Sequence, residues 1–387
     1  MRLFNTIATV LTLAIAVSAL ATPSPLKVVE RSHGEVSGKH IVRFKKGVTM
    51  GGWMGRLRKS SNAVKFEIIN GVALELDDDE LDALRGSDDV DSIADDPIMY
   101  AFATQTNATW GLQRITQAGA LSSQNAAGRT FSYTYNNTAG AGVDVYVVDT
   151  GVLTTHREFG GRARWGTSFV GETRDGNGHG THCAGSVASF TYGVAKKANI
   201  IAVQVLSSSG SGATSGIISG LNWVAAQARN SRRPSVVSMS LGGTASTSLD
   251  SAIASLTAAG VHVVVAAGNS NVNAANTSPA RAVSAITVGA STVTDTRATY
   301  SNYGAVVDVF APGTAIISTW IGASNTATNS ISGTSMATPH VAGVVAYLIS
   351  RDGNVTPAAM QTKIKSLSTK NAISGIPSGT VNNLLRI

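Results

Sequence analysis

Val143-Asp144-Val145-Tyr146-Val147-Val148-Asp149-Thr150-Gly151 is a run of β-formers that ends in an aspartate and a Thr-Gly turn. The apolar residues are nearly continuous rather than alternating, so both faces of the strand are expected to be buried, as in a parallel sheet. Comparable strands are read near 199–206, 235–241, 261–267 and 285–290. They alternate with helical patterns near 180–189, 215–228, 249–259, 335–350 and 356–368. That alternation predicts an α/β fold, a parallel sheet with helices on both faces. The chain has 387 residues, 40 of them glycine, and is 43% hydrophobic, enough for one large core and a smaller domain. It contains no internal repeat and no low-complexity tract.

Two further stretches carry chemistry. In Asn177-Gly178-His179-Gly180-Thr181-His182-Cys183 an imidazole stands between glycines where a loop turns into a helix. Such a ring can face outward and exchange protons near neutral pH. In Ser332-Gly333-Thr334-Ser335-Met336-Ala337-Thr338-Pro339-His340 a serine opens an apolar helix, with Pro339 still early in it. A serine hydroxyl needs a base within hydrogen-bond reach, and the base needs a third group to fix its tautomer. Asp149, His179 and Ser335 offer these roles in the order Asp, His, Ser. Singly, each has an ordinary structural explanation; the three together do not. A zinc site at His179, His182 and Cys183 is disfavoured, because no further cysteine or carboxylate pattern completes a tetrahedron. His156 reads as a surface loop residue, and His340 as packing or capping.

The Asp, His, Ser order is that of subtilisin-like serine proteases, and Gly333-Thr-Ser335-Met-Ala337 lacks the second glycine of an α/β-hydrolase elbow. The chain resembles that family and, within it, the proteinase K group of secreted fungal enzymes, the alkaline and cuticle-degrading type. Further segments carry the likeness: Asn107-Ala-Thr-Trp110, Asp175-Gly-Asn-Gly-His-Gly-Thr-His-Cys-Ala-Gly185, Tyr192-Gly-Val-Ala-Lys-Lys197, Ser301-Asn-Tyr-Gly304 and Ser318-Thr-Trp-Ile-Gly322. The resemblance runs from about residue 103 to the C-terminus.

It implies a secreted serine endopeptidase with an Asp149–His179–Ser335 triad and no catalytic cofactor. Asn269 would be the oxyanion donor beside the Ser335 N–H. Ser240, Leu241 and Gly242, with Ala266 and Gly268, would line a pocket roomy enough for bulky apolar or aromatic side chains. Gly210, Ser211 and Gly212 would form an edge strand that pairs with extended peptide. Asp308, with the carbonyls of Val283 and Ala285, would bind a structural calcium. Two other classes are a catalytically inactive binding module of the same fold and a secreted serine esterase. The complete residue set argues against the first. The peptide-pairing segment and the prodomain argue against the second. Nucleotide binding is disfavoured, since no Gly-x-Gly-x-x-Gly or Gly-Lys-Ser/Thr is present.

The N-terminus reads as a processing region. Residues 1–21 fit a signal peptide, with an apolar stretch from Ile7 to Leu20 and Ala19-Leu-Ala21 before the cut. The run is too short and too interrupted for a membrane anchor. Residues 22–102 read as a separate small α+β unit with strands at His40–Phe44, Phe66–Ile69 and Val72–Leu76. A helix at Asp77–Arg85 has acids in its first turn and Gly86 behind it. This unit resembles the family's ferredoxin-like inhibitory prodomain, which places the peptidase domain at 103–387 and the processing bond near Phe102–Ala103. Charge divides in the same way. Residues 22–102 hold 11 Lys and Arg against 14 Asp and Glu, net −3, whereas 103–387 hold 18 against 9, net +9. Opposite signs should help the two units associate. The basic residues are scattered without a recognition motif, so nucleic acid is not an expected partner; the expected partners are protein and peptide substrates and the chain's own prodomain, on a monomer. Cys183 is the only cysteine, so no intramolecular disulfide forms. Sequons at Asn107, Asn136, Asn276 and Asn354 permit glycosylation, less so at the last two because proline follows.

Overall fold

The structure, a computed structural model, describes residues 25–32, 36–99 and 102–387; the expected signal segment, 1–21, lies outside the described residues. The chain forms two compact units, which divide after Ile98.

In the smaller unit, strand Val36–Phe44, helix Met50–Met54, strands Val64–Phe66 and Gly71–Leu74, helix Asp78–Arg85 and strand Val90–Pro97 follow one another. Across the sheet these four strands lie in the order fourth, first, third, second, all neighbours antiparallel. That is a ferredoxin-like arrangement. Strand Val29–Glu30 adds in parallel at the outer edge. The acids at the start of the second helix form a capping box: Asp77 Oδ1 accepts the Glu80 N–H at 2.9 Å, and Glu80 Oε2 accepts the Asp77 N–H at 3.2 Å. Val42, Phe44, Trp53, Leu74, Leu84 and Ile93 fill the core.

The larger unit is built on β1 (Asp144–Asp149), β2 (Ala163–Ser168), α1 (His179–Ala188), β3 (Asn199–Gln204), α2 (Thr214–Ser231), β4 (Ser235–Met239), α3 (Thr247–Ala258), β5 (His262–Ala266), β6 (Ile286–Ser291), β7 (Val309–Pro312), α4 (Thr334–Asp352), α5 (Pro357–Leu367), β8 (Thr369–Lys370) and β9 (Asn383–Leu384). The sheet runs β8-β9-β7-β6-β5-β4-β1-β3-β2. Every neighbouring pair is parallel except β8 with β9. The opening stretch of sequence is therefore an interior strand, and successive residues serve opposite faces. Val145 and Val147 pack with α1 and α4 on one side, while Tyr146 and Val148 pack with α2 and α3 on the other. All five expected strands and all five expected helices form. β2 and β7 were not expected: Ala-Arg-Trp-Gly-Thr-Ser has no apolar run, and Val-Phe-Ala-Pro ends in a residue that cannot donate to a ladder.

The helices under the sheet pack closely. A Cβ on Gly343 of α4 would lie 2.7 Å from Val194 Cβ and 3.2 Å from the Val187 carbonyl oxygen at the end of α1. Gly343→Ala is therefore expected to destabilise the larger unit by about 1–3 kcal/mol. The check is a thermal melt; an unchanged midpoint would show that the two helices can separate at no cost.

Candidate active site

β1 delivers Asp149 to the carboxyl end of the sheet, where the crevices of open α/β folds lie. Its side chain is 0% exposed. Asp149 Oδ1 accepts the Thr150 N–H at 2.7 Å and faces His179 Nδ1, also at 2.7 Å. His179 is the first residue of α1. Contact between the two elements depends on Gly180, where a Cβ would stand 2.1 Å from the Gly151 carbonyl oxygen and 3.1 Å from Asp149 Cβ. With Nδ1–H spent on the carboxylate, Nε2 carries the lone pair. Burial lowers the pKa of this imidazole, but the charge and hydrogen bond of Asp149, joined by the charge of Asp175, hold it above the ordinary 6.5.

Asp175 is the residue that sequence reading passed over. It is 7% exposed. Oδ1 accepts from Thr150 Oγ1 (3.0 Å) and from the backbone N–H groups of Asn177 (3.0 Å) and Gly178 (2.8 Å); Oδ2 accepts the N–H (3.0 Å) and Oγ1–H (2.6 Å) of Thr181. Thr150 Oγ1 in turn accepts the Gly180 N–H at 2.9 Å. One carboxylate thus ties the turn after β1 to the first turn of α1. The available signal was an aspartate four residues before the helix start, placed as in an Asx turn to accept the N–H groups two and three residues on.

Ser335 is the second residue of α4. Its hydroxyl donates to the Ser240 carbonyl at 3.1 Å, and Ser240 Oγ donates back to the Ser335 carbonyl at 2.9 Å. The second bond has a backbone cause. Pro339 lacks the N–H that would take the Ser335 carbonyl in a regular helix. That carbonyl instead accepts from Ser240 Oγ and, at 3.4 Å, from the Cys183 thiol. Asn269 is equally fixed: its Oδ1 accepts both the N–H (2.8 Å) and the Oγ1–H (2.9 Å) of Thr334. The opposite end, Nδ2, has no protein acceptor among the described residues. A Cβ placed on Gly333 would lie 3.5 Å from that Nδ2 and 3.6 Å from the Ser335 nitrogen. Two donors therefore flank one space that Gly333 leaves clear, which suits a developing oxyanion.

Beside His179 lies a cleft of about 480 Å³, lined among others by Gly210, Ser211, Gly212, Ser240, Leu241 and Gly242. Ala266 and Gly268 do not line it. Ala266 is buried in the sheet, and Gly268 turns toward Asn302. Ile217, Leu249 and Ser278 line the walls in their place; they sit on helices or a short strand and carry no motif that marks them. The segment 209–212 is an exposed turned loop rather than a strand, closed by Gly210 N–H to the Ser207 carbonyl at 2.8 Å. Its backbone is ordered by Glu172, which accepts from the Ser208 N–H and hydroxyl.

Other candidates fall elsewhere. His156 is 2% exposed, not a surface residue: Nε2 pairs with the Ala327 carbonyl and the ring packs edge-on against Phe159. His340 is buried with Nδ1–H on the Met336 carbonyl, and burial lowers its pKa to about 4. His182 faces the Ile316 carbonyl and is likewise lowered to about 4 by burial. Asn136 is 3% exposed, and its Oδ1 takes both the N–H and the hydroxyl of Thr138, so the folded protein does not present this sequon; Asn107, Asn276 and Asn354 are exposed. The ligand atoms of Asp149, His179 and Cys183 lie within 4.8 Å of one another. Nδ1 and Oδ1 are spent on each other, however, and burial pushes the Cys183 thiol well above 9, so these donors do not make a zinc set. The expected calcium oxygens do converge: Asp308 Oδ2 and the carbonyls of Val283 and Ala285 all face Gln361 Nε2, at 3.1, 3.3 and 2.9 Å. What meets them is thus a hydrogen-bond donor, and Lys365 Nζ stands 3.2 Å from Asp308 Oδ1. As arranged, this set does not fit a calcium ion.

Cys183 is 0% exposed. Iodoacetamide is accordingly expected to leave native protein unmodified by mass spectrometry and to add one label in guanidinium. Alkylation of the native protein at the rate of a free thiol would show that Cys183 is accessible and ionised.

Comparison with known proteins gives the family. The subtilase family model matches residues 140–383. The chain is 48% identical to the alkaline serine protease ver112 of Corniculantispora psalliotae, over 99% of this chain and 98% of that protein. It is 46% identical to the cuticle-degrading protease of Metarhizium anisopliae, over 94% and 93%. The crystal structure of a cold-adapted subtilisin-like serine proteinase matches with a TM-score of 0.66 at 48% identity, covering 72% of this chain and 98% of that one. The chain belongs to the subtilase family and is a serine-type endopeptidase.

Proposed function

We propose that the chain is an exported zymogen whose larger unit hydrolyses peptide bonds with broad specificity through Asp149, His179 and Ser335. The observation that carries this reading is the 2.7 Å contact of His179 Nδ1 with the buried Asp149 carboxylate, beside a cleft lined by His179 and by Ser240, whose carbonyl accepts the Ser335 hydroxyl. In the proposed mechanism the Ser335 hydroxyl turns from the Ser240 carbonyl to His179 Nε2. His179 takes its proton as Oγ attacks the scissile carbonyl. The oxyanion is held by Asn269 Nδ2–H and the Ser335 N–H. The imidazolium, steadied by Asp149, then protonates the leaving amine, and water repeats the sequence on the acyl-enzyme. The small residues Gly210, Gly212, Ser240 and Gly242, with Ile217 and Leu249 behind them, favour a bulky apolar side chain on the acyl side.

The base works only when neutral. Because His179 is held above 6.5, kcat/KM should fall as pH drops through that raised pKa and be full on the alkaline side. Asp149→Asn removes the main stabiliser of the imidazolium, so it should lower kcat by about 10⁴ and move the acid limb downward. Asn269→Ala should cost about 10²–10³ in kcat, the range known for a subtilisin donor, with KM little changed. A pH profile of peptide-anilide hydrolysis checks all three, and an acid limb unmoved by Asp149→Asn would remove His179 from the role of base.

The smaller unit, net −3 against net +9 for the larger, is proposed as the inhibitory prodomain, cut near Phe102–Ala103. In the uncut chain Phe102 pairs with Asn136 and Ala103 with Tyr135, so the strand must leave its partner before the bond can enter the cleft. Casein hydrolysis by the processed protein should be abolished by phenylmethylsulfonyl fluoride, and secreted Ser335→Ala should keep its prodomain. Mass spectrometry of both secreted forms is the check. Cleavage of Ser335→Ala at the same bond, in the absence of other proteases, would sink self-processing. Ester but no casein hydrolysis would favour the esterase reading.

A further inference from the structure

Within the larger unit, a cluster centred on Asp308 lies outside the catalytic residues and is built from four parts of the chain. Asp308, just ahead of β7, receives the Thr287 N–H of β6 on Oδ2 at 2.9 Å, and its own carbonyl receives Asn383 Nδ2 of β9 at 2.9 Å. Gln361 and Lys365 approach from α5. Four residues apart, they share one helix face, and both reach the same carboxylate. Gln361 Nε2 stands at the point where three oxygens converge: Ala285 O at 2.9 Å, Asp308 Oδ2 at 3.1 Å and Val283 O at 3.3 Å.

This is the oxygen set that the family resemblance assigns to calcium, and the chemistry facing it is of another kind. Calcium takes six to eight oxygens at about 2.3–2.6 Å. The contacts here have hydrogen-bond lengths, their centre is an amide nitrogen with two protons, and the remaining carboxylate oxygen carries an ammonium. A divalent ion at this point would have to expel the Gln361 amide and would then sit beside the fixed positive charge of Lys365.

We propose that this chain fills the seat itself, the Lys365 ammonium and the Gln361 amide clamping Asp308 and the carbonyls of Val283 and Ala285 in place of a divalent cation. The clamp joins α5 to β6, β7 and β9, and so fixes the last stretch of the chain to the sheet without metal and without a disulfide. Asp308 is then a structural counter-ion of Lys365 rather than a metal ligand.

The test is thermal melting of the full chain carrying Ser335→Ala, which on the proposed function stops autolysis, and its readout is the melting midpoint rather than activity. In this parent, Asp308→Asn should leave the shift between CaCl2 and EDTA unchanged. Lys365→Met should lower the midpoint in EDTA by about 1–3 °C and add a calcium-dependent rise that the parent lacks, because the vacated carboxylate becomes available. Calorimetric titration with Ca²⁺ should find no binding event in the parent that Asp308→Asn removes. Should Asp308→Asn fail to fold, Lys365→Met, which keeps the carboxylate, carries the comparison alone. The proposal is overturned if the parent binds calcium at a site lost in Asp308→Asn, or if parent and Lys365→Met respond to calcium equally.

Discussion

The larger unit is organised around a buried carboxylate that has no full counter-charge. Asp149 is 0% exposed at the end of an interior strand, where an isolated ion would be costly. The fold meets that cost with donors: the Thr150 N–H and the Nδ1–H of His179 both converge on Oδ1. Each donor must in turn be held, and Asp175, through five hydrogen bonds from Thr150, Asn177, Gly178 and Thr181, holds both of them. A histidine whose tautomer is set by one buried carboxylate, and whose helix is set by another, is fixed before any substrate arrives. That preorganisation is what gives its Nε2 a defined chemical role.

A second constraint begins with a missing proton. Pro339 leaves the Ser335 carbonyl without its helical donor, and the vacancy is met from the side by Ser240 and Cys183. The proline therefore works as a connector. It joins the helix of Ser335 to the strand end that lines the cleft and to the helix of His179. Cys183 serves here as a small buried donor, and its thiol, pushed up by burial, is chemically quiet. Thr334 continues the pattern by holding Asn269 Oδ1, which turns Nδ2 toward the space that Gly333 leaves open.

What could be read from sequence was whatever is local. Interior strands announce themselves because burial on both faces demands an unbroken apolar run, as in residues 143–148. The edge strand Ala163–Ser168 has only one neighbour and needs no such run, so nothing in it speaks. The three candidate catalytic side chains were legible because each sits in a distinctive glycine-bounded setting. The rest of the cleft was not, since Ile217, Leu249 and Ser278 are brought there by packing. His156 and Asn136 were misplaced for a related reason: a polar residue in a loop is read as exposed, whereas here His156 Nε2 bonds the Ala327 carbonyl, far off in the chain, and Asn136 Oδ1 accepts the N–H and hydroxyl of nearby Thr138, so both side chains are satisfied when buried.

The calcium expectation marks the limit of reading a site by position. Val283, Ala285 and Asp308 do come together as the resemblance implies, because the strands that carry them are fixed by the common sheet. Whether those oxygens face an ion or a donor is decided by α5, more than fifty residues beyond Asp308 in the chain. A carboxylate and two carbonyls demand positive charge, and the demand is the same whatever supplies it. A divalent ion supplies it from solution, at a concentration the environment sets. A lysine and a glutamine one helical turn apart supply it from within, at a cost in side-chain entropy but with no dependence on the medium. The backbone of such a site can therefore persist while its chemistry is exchanged, and only the side chains that face the oxygens record the exchange.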